Sequence, residues 1–366
     1  MSKIISIGTA VPKYGTEQSK ILDYMVEAYS NDTASRKLRI LFHQSGINKR
    51  YSAISDFNNK SPENKLFSEN ERIPNVETRL GVFKENAVSL AIAAIKDSLD
   101  KLRLSIAEFG ITHLITVTCT GIYAPGIDSV LIDQLNLPVD IFHTSVNFMG
   151  CNAAFHALKL GDMIAKTDNG AKVLIVCVEL CTLHFQPKNN HDNLLSNTIF
   201  GDGAAAVVIV SDSKAKQDQR SGITINGFYS LLLSKGSDMM GWNITPVNFE
   251  MILDAKVPDF IGDNVNEIVL KACNKFKITT DLIDNWAIHP GGKKILDRIK
   301  KQLNLDEEDL KCSYNVLDQY GNMSSPTILF VLSEILLPGL KPGENIFSIG
   351  FGPGLSIETA LFTYGE

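Results

Sequence analysis

No apolar run in this chain approaches the roughly 18 residues that a membrane-spanning helix needs, which excludes a transmembrane reading. The opening MSKIISIGTAVPKYG also lacks the apolar h-region and cleavage site of a secretory signal, and reads as a strand running into a Pro/Gly turn. Cysteine is scarce, six in 366 residues with no C-x-x-C pair, so no disulfide framework is indicated and a reducing compartment fits. The cytoplasm is the expected location. An excess of basic charge is missing as well: the net charge of −6 argues against a broad nucleic-acid surface, and neither nucleic acid nor membrane is expected as a partner. Cys177, Cys181, His184 and His191 do not have the spacing of a zinc site, so no metal is expected. GFGPG, Gly350 to Gly354, lacks both the Lys-Ser/Thr and the following helix of a phosphate cradle.

What is present is the composition of an ordinary soluble globular protein, 44% hydrophobic and 21% charged. Helical and strand-like periods alternate. Val88, Ala91, Ile92, Ile95, Leu99 and Leu102 form a helical stripe, and the following ITHLITVTCT is the β-branched run of a buried strand. A helix near Asp128 to Leu137, a strand near Val139 to Val146, a helix after Cys151 and the strand KVLIVCV continue the α/β pattern. The stripe Ile261, Val265, Ile268, Val269, Ala272 and Phe276 predicts a helix packed on the core. Polar SDSKAKQDQRSG, Ser211 to Gly222, is the candidate joint, dividing the chain into halves 1–212 and 213–366.

The second half repeats the first. TVTCTG before IDSVLIDQLNL matches WAIHPG before GKKILDRIKKQLNL, and SVNFMGCNAAFHALKLGDMI matches NVLDQYGNMSSPTILFVLSEIL. Cys119 and Cys151 are 32 residues apart, and His289 and Asn322 are 33 apart. Duplicated βαβ units bring equivalent strand ends to one site, so Cys151 pairs in register with Asn322, each after a glycine at an expected helix start, and Cys119 pairs with His289.

That register matters for Cys151. Cysteine in an apolar tract is commonly core, but at a helix start the free N–H groups and dipole lower its pKa toward neutrality, favouring the nucleophilic thiolate. His289, in AIHPGG, is expected to project from a strand end before a Pro-Gly-Gly turn. Asn322, taken alone, is equally a helix cap. Together the three form a chemical set. The imidazole stabilises the thiolate, and His plus the Asn amide donate to an oxyanion or enolate on a bound thioester. Papain-like enzymes run Cys, His, Asn in the same order, but CG-[SA]-CW is missing here.

The Gly-Cys helix start, FGDGA at Phe200, HPGG, YGNMSSP and GFGPGLSIET stand in the order and spacing of the type III polyketide synthases, the chalcone synthase-like branch of the thiolase superfamily. The chain resembles that family from KRY at Lys49 to GFGPG. The resemblance implies an α/β, thiolase-like fold layered α-β-α-β-α, with the nucleophilic cysteine in the first half and the catalytic His and Asn in the second. It implies an acyltransferase that loads an acyl starter from a CoA thioester onto Cys151 and extends it by decarboxylative condensation with malonyl-CoA. The product would close to a pyrone or a resorcinol. His289 and Asn322 would drive decarboxylation, and Phe200 would be the aromatic gatekeeper. Cys119, Thr120, His184, Trp242, Met251, Gly291 and Ser324 would bind substrate, with Gly350, Phe351, Gly352, Pro353 and Gly354 shaping a cavity wall. No cofactor is implied beyond the CoA thioesters as substrates, and the assembly would be a homodimer.

Departures from the family pattern bear on specificity. By alignment Cys119 replaces a small hydroxylic residue, His184 a threonine, Trp242 a glycine and Met251 the second gatekeeping phenylalanine, while Ala124 stands for a methionine that enters the partner's cavity. Trp242 is expected to shrink or redirect the cavity, against a chalcone-forming specificity. The family's basic cluster for the CoA phosphates is incomplete near Gln44 to Asn48. Arg36, Lys37, Arg39, Lys49, Arg50, Lys293 and Lys294 are either substitutes or ordinary solvated charges. Two alternatives stay open: a ketosynthase III-like enzyme using an acyl-carrier-protein donor, and a catalytically silent binding or assembly subunit.

Overall fold

The structure is a computed structural model that describes residues 1–58, 65–67, 73–337 and 339–365. Nine strands make one sheet: β1 (Ser2–Ala10), β2 (His113–Thr118), β3 (Phe142–Asn147), β4 (Lys172–Leu180), β5 (Asp202–Ser211), β6 (Gly222–Leu232), β7 (Asn285–Ile288), β8 (Asn345–Gly352) and β9 (Ser356–Gly365). Their order is β7-β8-β9-β6-β1-β5-β4-β2-β3.

The internal repeat is visible in how they pair. β2 runs parallel to β4, β4 antiparallel to β5, and β5 antiparallel to β1. In the second half β7 runs parallel to β8, β8 antiparallel to β9, and β9 antiparallel to β6. The halves meet where Ser2 to Ile4 pair with Ile223 to Ile225. Ser211–Gly222, the expected joint, holds a short helix, Asp212–Gln217, capped by the Ser211 hydroxyl.

Strand alternation distributes the apolar residues among three cores. Along β5, Ala204, Ala206 and Val208 face one core while Ala205, Val207 and Ile209 face a second. The main helices are α1 (Gln18–Tyr29), α2 (Val76–Lys101), α3 (Ala153–Thr167), α4 (His191–Ile199), α5 (Val257–Phe276), α6 (Lys293–Leu303) and α7 (Thr327–Leu336). α2 covers the first face, through Phe83, Ala87, Ala91 and Ile95. α3 and α7 fill the space between the halves with Phe155, Leu158, Ile328 and Leu332. α5 and α6 close the outer face of the second half on Trp286, Phe347 and Ile349. Helix, half-sheet, helix, half-sheet, helix is the result, with Ile261, Val265, Ile268, Val269 and Ala272 of the expected stripe buried in the third core. At Gly8 the helix comes so close that a Cβ would meet the Ala94 carbonyl at 2.3 Å, which only glycine permits.

Among the described residues no helix is long and apolar enough to cross a membrane. β3 is the edge of the sheet. Beside the buried β2 it leaves Phe142 54% exposed, and Val139 just before it is 98% exposed.

Candidate active site

The C-terminal ends of β2, β4 and β7 open toward one region, the place where parallel α/β strands present functional groups. β2 runs into Cys119 and Thr120, β4 ends at Glu179 and Leu180, and β7 delivers His289. Cys151 lies in a single turn of 3-10 helix, Gly150–Asn152, that feeds α3. Gly150 makes this possible. Its φ is +77°, and a Cβ there would meet Pro353 Cδ at 2.3 Å.

Asn322 reaches the sulfur from the other half of the chain. Its Nδ2 and Oδ1 both lie 3.9 Å from Cys151 Sγ, and Nδ2 also donates to Gly291 O at 3.4 Å. The Ser324 N–H donates to Oδ1 at 2.8 Å and the Thr327 hydroxyl at 3.4 Å, which fixes the amide's orientation. The expected helix start is not found at Asn322. It sits in an irregular segment before α7, bridged to Phe200: its N–H donates to Ile199 O at 2.9 Å, and Gly201 N–H donates to its carbonyl at 3.0 Å. The reason is that Gly321 adopts φ +68°, ending the preceding helix, and the next does not begin until Thr327. His289 is buried against Gly291, with neither ring nitrogen hydrogen-bonded.

Burial governs the charges here. It pushes the Cys151 thiol up to about 11, with Ser324 and Asn322 pulling the other way, and the His289 imidazole down to about 3. The thiol-lowering expected from a helix start is thus outweighed by desolvation. Each charge alone is disfavoured. A thiolate gains most where a neighbouring imidazolium forms at the same time, since two opposite charges in a dry site attract strongly.

Cys151 lines a cavity of about 940 Å³ of empty space, open mouth included. Cys119, Thr120, His184, Phe200, Trp242, Met251, Ser324 and Pro353 line it too. His289, Asn322 and Gly291 stand behind this lining. The other GFGPG residues do not face the cavity: Phe351 is core, and a Cβ on Gly350 or Gly352 would meet Phe155 or Asn152. Those glycines clear room for the segment that carries Cys151, and Pro353 alone of that loop forms cavity wall.

His184, Trp242 and Phe249 form an aromatic wall. His184 stacks on Phe249 at 4.5 Å between ring centroids, and Trp242 packs edge-on to His184 at 5.6 Å. His184 Nε2 bonds Thr120 O at 2.7 Å and its Nδ1 accepts Phe249 N–H at 3.0 Å, so the ring is the neutral Nε2–H tautomer. Burial lowers it to about 3. Trp242 Nε1–H donates to Cys119 O at 2.7 Å, and Met251 is its cross-strand partner.

Two buried groups have a place at the site that residue order does not show. Glu179 accepts from the N–H groups of Cys119 (2.9 Å) and Thr120 (3.1 Å), and from the hydroxyls of Thr120 (2.7 Å), Ser325 (2.6 Å) and Thr118 (3.2 Å). Cys119 Sγ lies between it (3.3 Å) and Ser324 Oγ (3.4 Å). A carboxylate ending an otherwise apolar strand was the available signal. Arg50, expected as either a CoA-phosphate contact or a solvated charge, is 4% exposed and lines the cavity, whereas Arg36, Lys37 and Arg39 are exposed. Burial pulls its guanidinium down to about 9, with Asp202 opposing, so it stays cationic at neutral pH. His156 is half-buried, 3.4 Å from Glu358, and Cys177 is core. Among the described residues no three His, Cys, Asp or Glu side chains gather to hold a metal.

Comparison with known proteins agrees with this geometry. The N-terminal domain of the chalcone and stilbene synthases matches residues 1–213, and their C-terminal domain matches residues 229–364. The α-pyrone synthesis polyketide synthase-like Pks18 of Mycobacterium tuberculosis is 29% identical over 98% of this chain and 90% of its own length. Probable polyketide synthase 1 of Dictyostelium discoideum is 30% identical over 98% of this chain, a match to 11% of that longer protein. PKS-I from the brown alga Ectocarpus siliculosus superposes with a TM-score of 0.91 at 28% identity, covering 100% of this chain and 98% of that one. The C-terminal type III polyketide synthase domain of Steely1, a type I/III hybrid from Dictyostelium, does so at 0.89 and 28%, over 99% of each chain.

Proposed function

The chain belongs to the chalcone and stilbene synthase family and is a condensing acyltransferase of the type III polyketide synthase kind; from that premise we propose that it transfers an acyl group from a CoA thioester to Cys151 and extends it with malonyl-CoA. Cys151 Sγ attacks the thioester carbonyl, its proton passes to His289, and CoA leaves as the thiol after taking that proton. Malonyl-CoA then loses CO2. The enolate so formed has its oxygen held by His289 and Asn322 Nδ2, and its carbon attacks the acyl carbon on Cys151. The Cys151 thiolate is expelled and a β-ketoacyl-CoA results, ready to reload. Two donors aimed at one developing oxyanion are the usual largest contribution to such a step.

The observation that carries this reading is the meeting of Cys151 from the first half, which lines the cavity, with the fixed amide of Asn322 from the second, which stands 3.9 Å from its sulfur just behind that lining. The uncommitted imidazole of His289 supports it. We read 1–212 and 213–366 as the two halves that contribute those groups. The exposed edge β3, with Phe142 and Val139, supports a homodimer joined along that edge. The name of the mycobacterial relative supports closure of the product to a pyrone.

The test is incubation of the purified protein with malonyl-CoA and a panel of acyl-CoA starters, following CO2 and products by mass spectrometry. Release of CO2 with chain-extended products is expected. Cys151→Ala should stop extension and leave some malonyl decarboxylation. Absence of both CO2 and products would overturn the reading.

A further inference from the structure

Arg50 is a buried cation that lies over the Phe42 ring at 5.8 Å and whose hydrogen bonds leave one nitrogen unused. Its Nε donates to Gln18 Oε1 at 2.8 Å and its Nη1 to the carbonyl of Phe200, while Nη2 has no partner. Asp202 is the anion acting on it, yet the Asp202 oxygens accept from Ala53 N–H (2.8 Å), Thr182 N–H (2.8 Å) and the Thr182 hydroxyl (2.6 Å), not from the guanidinium. Donors left unmade on a buried charged group are costly, more so than on a neutral one. Ser196, on α4, has the same deficit, with a buried Oγ lacking any partner. Arg50 and Ser196 line the same cavity as Cys151.

We propose that Arg50 Nη2 and Ser196 Oγ form an oxygen-binding subsite of this cavity, holding the enolate of a β-dicarbonyl segment of the growing chain. This rests on the synthase reading, since condensation is what creates such a segment. Each condensation places a new carbonyl two carbons from the last. The methylene between them is acidic, and its enolate has two oxygens with the negative charge shared between them. One donor from a permanent cation and one neutral hydroxyl suit that pair of oxygens. The cavity also reaches Ile21 and Met25 of α1, with Phe57 and Phe185 beside them, an apolar end that takes the starter's hydrocarbon while its oxygens stay on the polar wall. Arg50 and Ser196 are therefore positioning residues that set where the chain lies before it leaves or cyclises.

The probe is acetylacetone, a β-diketone without a thioester, whose enolate absorbs in the near ultraviolet. Titrated into the intact protein at neutral pH, it should give a saturable enolate band. Ser196→Ala should weaken its binding by about 3- to 10-fold, the loss of one neutral hydrogen bond. Arg50→Lys should weaken it further, and Ser196→Ala carries the test should Arg50→Lys not fold. Malonate is the competing arm. No band, or a band unaltered in both variants, overturns the subsite; displacement by malonate as readily as by another β-diketone overturns the assignment to a β-dicarbonyl. Acylation of wild-type Cys151 by acyl-CoA, read by intact mass, reports on the synthase reading separately. A band without acylation keeps the binding subsite and removes the condensation that would fill it, whereas acylation without a band does the reverse.

Discussion

Asn322 Nδ2 stands 3.9 Å from the sulfur of Cys151, although 171 residues separate them in sequence. The amide cannot turn away without breaking the 2.8 Å bond that its oxygen accepts from Ser324 N–H. A donor held in advance at the place where negative charge develops costs nothing to reorganise at the moment of reaction.

Asn322→Ala should therefore lower malonyl decarboxylation by about 10²- to 10³-fold, as for loss of one oxyanion donor. Acylation of Cys151 should survive, since the thiol itself is untouched. Single-turnover acylation followed by intact mass, beside CO2 release, separates the two. Equal loss of both would mean that Asn322 acts on the thiol or on folding.

His289→Ala should move the pH dependence of Cys151 alkylation upward. With the imidazole gone, no imidazolium can form beside the thiolate, so the burial that pushes the thiol up is not offset by an opposite charge. The rate of inactivation by iodoacetamide across pH, in wild type and variant, measures the midpoint. Coincident midpoints would show that His289 does not support the thiolate.

Trp242→Gly should lengthen the products or broaden the range of starters, because the indole is part of the aromatic wall and is pinned to Cys119 O at 2.7 Å. Trp242→Phe removes that hydrogen bond but keeps most of the bulk, so it should change stability by about 1 kcal/mol and the product profile little. An unchanged profile in the glycine variant would remove Trp242 from the specificity wall.

Acid should destabilise the fold through His184. Burial holds its folded pKa at about 3, against 6.5 for the free side chain. As pH falls below 6.5 the unfolded chain takes up a proton that the folded one refuses, so stability drops toward pH 3 by about 1.4 kcal/mol per unit per histidine. Asp202, raised to about 6 by burial, works in the opposite direction over part of that window. The difference in slope between wild type and His184→Gln, from urea midpoints between pH 6 and 4, isolates the histidine. Equal slopes would show that His184 is protonated in the folded state.

Much of the architecture was legible because periodicity is local. The apolar runs of His113–Thr118 and Lys172–Leu180 and the helical stripe over Val257–Phe276 each follow from the geometry of one element. The site's register was legible because the halves repeat. Its errors were errors of context. The thiol of Cys151 was expected low because a helix start was visible and its burial was not. Asn322 was expected at a helix start because the φ of Gly321 is not written in residue order. Glu179 passed unnoticed because a carboxylate at a strand end signals nothing until its donors gather around it.

Residue order alone dictated the alternating strands and helices, their duplication, and the three polar groups that the duplication brings into register. Tertiary packing decided what those groups experience. Desolvation, a property of everything around a side chain, sets the charges of Cys151 and His289. The cavity's shape is likewise made by residues from distant segments, as when Trp242 closes on Cys119 and Arg50 on Phe200. Contacts of that kind depend on how layers stack, and no local pattern encodes them.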